Sequence, residues 1–129
     1  MKKQTFLVLA FLALLFVAGC GPPSTGEDIE IKLAPIHEVT ISFAKSLPPQ
    51  VIVYIKGGLP DGCTTFRGLE IERSGKTVKI NVTVQRPKEA ICTEIYGFFE
   101  RNENLGSDFI KGETYTVVVN DTSTTFVMQ

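Results

Sequence analysis

Thr77-Val78-Lys79-Ile80-Asn81-Val82-Thr83-Val84-Gln85 is the run that decides the fold. Val78, Ile80, Val82 and Val84 fall on one side of an extended backbone, with Lys79, Asn81, Thr83 and Gln85 on the other. Period-two alternation with β-branched residues on one face is the pattern of a strand that buries a single face. Wound as a helix, the same residues would scatter their valines around the axis. Arg86-Pro87-Lys88-Glu89-Ala90 ends the run, since proline has no N–H to give to a ladder.

Working backwards, Ser74-Gly75-Lys76 makes a short hairpin connection to a strand over Phe66–Arg73, with Leu69 and Ile71 expected inward. Gly57–Gly62 reads as a turn segment, because glycine and Pro60 supply turn conformations. Before it, Val51–Ile55 is apolar on both faces and suits a central strand; Val39, Ile41 and Phe43 mark another, broken by Leu47-Pro48-Pro49. Working forwards, the spacing predicts a strand over Thr93–Arg101, a loop over Leu105–Glu113, a strand over Thr114–Asn120 and a last strand carrying Phe126 and Met128. The sum is an all-β chain: an antiparallel immunoglobulin-like sandwich of about seven strands. Tyr115, early in the penultimate strand, occupies the place of a tyrosine corner. An eight-stranded barrel or lipocalin-like cup is the alternative architecture.

The N-terminus has a different character. Lys2 and Lys3 precede an apolar core over Phe6–Ala18, which is the layout of a secretory signal. At about 13 residues the core is shorter than the roughly 20 that a membrane-spanning helix needs. Val17-Ala18-Gly19-Cys20 resembles the bacterial lipobox. That resemblance implies a thioether-linked diacylglyceryl group on Cys20, cleavage before it and acylation of the new amine. Two or more acyl chains anchor stably where one does so marginally. The expected organisation is a signal peptide over 1–19, a lipidated cysteine and flexible Pro/Gly tether over 20–28, and a β-sandwich over 29–129. The expected location is exported and lipid-anchored, on the bacterial cell membrane or outer membrane.

The formal net charge is −1, and the two lysines at the start leave with the signal. The lysines and arginines that remain are scattered, so no basic stripe for nucleic acid exists. Of three cysteines, Cys20 goes to lipid, which leaves Cys63 and Cys92 as an even pair in an oxidising compartment. A structural disulfide is expected. Redox work favours a C-x-x-C spacing that is absent, and metal ligation favours more than the single His37. No metal or cofactor is expected. His37 reads as an exposed or edge-strand histidine, and Glu70 with Glu72 as a solvated strand face rather than an acid/base couple. Phe98-Phe99 reads as one core ring and one exposed ring. Asn81-Val82-Thr83 and Asn120-Asp121-Thr122 match glycosylation sequons, a tripeptide that recurs by chance.

Gly58-Leu59-Pro60-Asp61-Gly62-Cys63, Arg86-Pro87, Ala90-Ile91-Cys92-Thr93 and Gly112…Tyr115-Thr116-Val117…Asn120 together resemble a small domain of bacterial lipoproteins of unknown function, often drawn with an immunoglobulin-like fold. The resemblance spans Val39–Phe126 and implies fold more than activity. Gly97-Phe98 stands where that family has proline-phenylalanine. The function expected is that of a non-enzymatic, lipid-anchored envelope module that binds a protein or cell-wall component or serves structurally. Leu59, Pro60, Asp61, Arg86 and Pro87 are the candidate binding residues, with Leu105–Gly112 as a third contact loop, because loops on a rigid sandwich most often carry function. The alternative is a protease or hydrolase inhibitor that plugs an active site with a projecting Pro-containing loop.

Overall fold

In a computed structural model of the chain, Gly19, Gly21 and residues 28–129 are described. Residues 1–18 of the expected signal peptide, Cys20 and most of the expected tether lie outside the described residues. Eight strands follow: β1 (Ile29–Leu33), β2 (Ile36–Ala44), β3 (Gln50–Leu59), β4 (Thr65–Ser74), β5 (Thr77–Pro87), β6 (Gly97–Gly106), β7 (Thr114–Val119) and β8 (Thr122–Val127). One sheet holds β2, β3 and β6 in that order. The other is built on β5, with β4 along one edge and β1 and β7 on its remaining pairings, β8 lying beyond β7. The fold is the expected all-β sandwich of two largely antiparallel sheets, with β5–β7 as a parallel pair.

The deciding run behaves as its pattern requires. Val78, Ile80, Val82 and Val84 of β5 are buried, facing Val51, Val53 and Ile55 of β3 across the core. Val117 and Val119 of β7, with Tyr115, Phe126 and Met128, complete it. Tyr115 makes the expected corner: its hydroxyl accepts the Ile110 N–H at 2.8 Å while its ring stacks on Phe126.

β5 shares its pairing between two strands of distant sequence. β1 meets it over Thr83–Pro87 and β7 over Thr77–Ile80. Val82 falls in the seam between them, where neither ladder reaches its backbone completely. The side chain of Asn120 fills that seam as a surrogate peptide group. Its Oδ1 accepts the Val82 N–H at 2.8 Å, and its Nδ2 donates to the Val82 carbonyl at 2.9 Å and the Ala34 carbonyl at 2.8 Å. Asn120 sits at φ 52°, a left-handed conformation that asparagine tolerates, as the first residue of the β7–β8 turn. Its amide is therefore engaged in structure.

Four sequence expectations need correction. The strand count rises to eight because Ile29–Leu33 pairs with β5. Its apolar residues Ile29, Ile31 and Leu33 face solvent rather than the core. Gly57, Gly58 and Leu59 belong to β3 rather than to a turn. The two glycines, lacking side chains, make room for the Phe99 ring over Gly57 and the Tyr96 hydroxyl over Gly58, where a Cβ at either position would overlap its ring neighbour. The strand expected over Thr93–Arg101 runs instead from Gly97 to Gly106, because it pairs with β3 along its whole length. Ile71 is largely exposed, whereas Leu69 packs on the core as expected.

Asn120→Ala removes the surrogate peptide group and strands the Val82 N–H, for an expected loss of about 2–4 kcal/mol. Asn120→Gly keeps the left-handed backbone accessible and should lose nearly as much. Urea denaturation measures both; an unperturbed midpoint for the glycine variant would show that only the backbone conformation matters.

Candidate functional site

Two connections cross between the sheets at the same end of the sandwich. Residues 60–64 lead from β3 to β4, and residues 88–96 lead from β5 to β6. The expected disulfide joins them: Cys63 and Cys92 are bonded, with Cα atoms 5.5 Å apart. Asp61 shapes the first crossover. Its Oδ1 accepts the N–H groups of Cys63 and Thr64 and the Thr64 hydroxyl, each at 2.9 Å, the self-folding turn that aspartate favours. Its Oδ2 accepts Arg86 Nη1 at 2.8 Å. Arg86 Nη2 donates to the Ala90 carbonyl at 3.1 Å and lies 3.1 Å from Cys92 Sγ. One guanidinium thus ties the end of β5 to both crossovers.

Burial, the largest single influence on Asp61, pushes its carboxyl upward. The Thr64 hydroxyl, the two backbone N–H groups and the Arg86 charge together outweigh it, and the carboxyl titrates below the usual aspartate range. Asp61 is accordingly a fixed anion with its acceptor sites filled, unsuited to shuttling protons. Its carboxylate and the two sulfurs lie within 4.8 Å of one another, but the sulfurs are bonded together and offer no thiolate to a metal.

Beside this brace opens a cleft of about 330 Å³. Pro60, Asp61 and Arg86, three of the residues singled out from sequence, line it. Leu59 and Pro87 instead close strand ends, opposite Gly97 and Ile29 respectively. Leu105–Gly112 lies at the other end of the sandwich, where Gly106 pairs with Val51 and Arg73 reaches Asp108. The three expected contact loops therefore do not form one surface. Arg86-Pro87 does not project either, because β5 pairing and Asp61 hold it in; the segment that projects is the second crossover, whose Ile91 is 102% exposed.

Sequence reasoning missed the other wall of the cleft, which β1 and its exit supply through Glu30, Lys32, Leu33 and Pro35. Glu30 and Lys32 pair at 3.1 Å, while Ile29, Ile31 and Leu33 point outward, the last two 48% and 61% exposed. The Lys88 N–H bonds the Asp28 carbonyl and the Ala34 N–H bonds the Val82 carbonyl, at opposite ends of the β1–β5 ladder. Antiparallel pairing alternates, so the even-numbered residues between them also face β5 and the backbone N–H groups of Ile29, Ile31 and Leu33 face away. Among the described residues no strand pairs with that outer edge. The alternation Ile-Glu-Ile-Lys-Leu was the available signal.

On the outer face of the three-stranded sheet stands an aromatic group. His37 is the extra residue of a bulge between Ile36 and Glu38, and this aims its ring across Gly58. Its Nε2 lies 2.6 Å from the Tyr96 hydroxyl, and its ring packs edge-on against Tyr96 and Phe98. Phe98 is exposed and Phe99 buried, as the sequence suggested.

Fold and site define a disulfide-braced β-sandwich domain with a cleft and an open strand edge. The chain belongs to the ORF11 beta-sandwich domain family, whose model matches residues 53–128. It is 43% identical over 86 residues to the uncharacterized 10.2 kDa protein in the HgiCIIM 5′ region of Herpetosiphon aurantiacus, an alignment covering 67% of this chain and 90% of that one. It is 45% identical over 76 residues to the uncharacterized 10.2 kDa proteins in the HgiBIM and HgiEIM 5′ regions of the same organism, covering 59% of this chain and 92% of each. No solved structure matches.

Because the folded Asp61 carboxyl titrates below its unfolded value, the brace is complete above about pH 4 and weakens as pH falls through the lower folded value. Asp61→Asn should melt below the parent at neutral pH, with the gap closing in acid; a gap unchanged by pH would remove the charge from the argument. Reducing the disulfide, whose cysteines are 29 residues apart, should cost about 3.5 kcal/mol in loop entropy, read as a lower urea midpoint.

Proposed function

We propose that the protein is a lipid-anchored envelope module, attached through Cys20, that binds an extended segment of another protein along β1 and the adjoining cleft without catalysing a reaction. The observation that carries the binding reading is the outer edge of β1. It offers the unpaired N–H groups of alternate residues beside exposed Ile31 and Leu33, and such an edge accepts an additional strand. The neighbouring cleft, with Leu33, Pro35, Pro60 and Val84 in its lining, gives a side chain of that segment an apolar seat. Asp61 and Arg86, the groups in the cleft best suited to chemistry, are engaged with each other and with the crossovers. That favours binding over turnover. Anchorage rests on the sequence Val17-Ala18-Gly19-Cys20 behind its apolar core.

Ile31→Pro removes one outward N–H and leaves the β5 ladder intact. A photoreactive residue placed at Leu33 should crosslink a discrete envelope protein in the parent background, and Ile31→Pro should abolish that product with the fold unchanged. Crosslinks indifferent to Ile31→Pro would defeat strand addition. Intact mass of the membrane-extracted protein should show an acylated chain starting at Cys20, and Cys20→Ser should release it from the membrane.

A further inference from the structure

The chain enters the sandwich at the end that carries the brace. The Asp28 carbonyl accepts the Lys88 N–H at 2.8 Å, so the last residue before β1 is fastened to the start of the second crossover. Between Cys20 and Asp28 stand Gly21-Pro22-Pro23-Ser24-Thr25-Gly26-Glu27. Fully extended, that length reaches about 28 Å, and a flexible chain of the same length averages roughly 15 Å. With acyl chains on Cys20, the second crossover is thus the part of the domain held nearest the bilayer.

That crossover is also where large apolar side chains stand free. Ile95 is 71% exposed and Ile91 wholly so, with Tyr96 and Phe98 exposed beside them. Cys92 pins the stretch between the two isoleucines to the first crossover, and His37 holds the two rings. The projection is therefore shaped before it meets anything, which lowers the ordering entropy of docking. Lys56 sits with its ammonium 4.7 Å from the Phe98 ring centroid, and Lys88 is offset locally by Glu89 and Glu94. A near-neutral tip of aliphatic residues with a tyrosine on its flank suits the interfacial zone of a membrane, where amphipathic rings settle, rather than an anionic surface alone.

We infer that the tip formed by Ile91, Ile95, Tyr96 and Phe98 rests in the interfacial layer of the membrane that holds Cys20, orienting the sandwich so that the loop over Leu105–Gly112 faces outward. This inference rests on the anchoring reading. The chain contains no tryptophan, so a single introduced one is an unambiguous reporter. Full-length protein extracted from membranes is reconstituted into zwitterionic vesicles with brominated acyl chains, carrying either Ile95→Trp or, at the opposite end, Leu47→Trp. Both parent residues are exposed, so neither change disturbs the core. Fluorescence of Ile95→Trp should shift to the blue and fall at least twofold with brominated lipid, while that of Leu47→Trp stays unchanged. Equal quenching of both variants, or none in either, overturns the docking. A blue shift of Ile95→Trp without vesicles that disappears on dilution assigns the tip to a second copy and also overturns it. Intact mass of the same samples separates the two readings: acylated protein with an unquenched Ile95→Trp refutes docking alone, and unacylated protein refutes the anchor on which docking depends.

Discussion

A single carboxamide closes the seam in the larger sheet where two of its ladders meet. β5 takes β1 and β7 as partners, and two strands that meet end to end along a ladder leave a break in it. Asn120 closes the break at Val82 with one acceptor and one donor, the complement of a peptide group. The same amide reaches Ala34 and so ties the exit of β1 to the turn between β7 and β8. Buried backbone groups tolerate no vacancy. The geometry of the turn, the end of β1 and the middle of β5 are thus determined together, and the buried Ala34, Val82 and Val119 beside them inherit their positions from it.

The opposite device governs the end of the sandwich where the crossovers lie. There no ladder is available, and the chain is held by a disulfide, an aspartate turn and one arginine. Asp61 and Arg86 would be natural candidates for chemistry if judged by residue type. Their contacts make them internal struts, and what they stabilise is the shape of the cleft and of the projecting second crossover. The surfaces left for recognition are largely backbone and apolar: the outer edge of β1, the cleft lining and the exposed isoleucines.

Legibility from sequence followed the same division. β5 could be read from Val78, Ile80, Val82 and Val84 because a core on one side imposes strict alternation. The disulfide and the tyrosine corner were legible because few residue types make those structures. Gly57-Gly58 misled, since glycine that yields to a neighbouring ring looks identical to glycine that permits a turn; only Phe99 and Tyr96, about forty residues later, resolve it. β1 carries a strand's alternation over only five residues, and since a periodic signal has no sign, nothing local told that its apolar residues face outward. The clustering of Pro60, Asp61 and Arg86 in one cleft, with Leu105–Gly112 far away, depends on strand order, which no local pattern encodes.

The Asn120 seam has a bearing on the order of folding. Its hydrogen bond to the Ala34 carbonyl joins residues 86 apart, and that to the Val82 carbonyl joins residues 38 apart. A chain made from its N-terminus forward can assemble the β2–β3 and β4–β5 hairpins early, since each is local. The larger sheet cannot be completed until the β7–β8 turn has formed. Until then β5 has an incompletely paired edge, and contacts so distant in sequence form slowly. Closure of the larger sheet is therefore a late event gated by the β7–β8 turn, and the hairpins formed before it rest on local contacts alone.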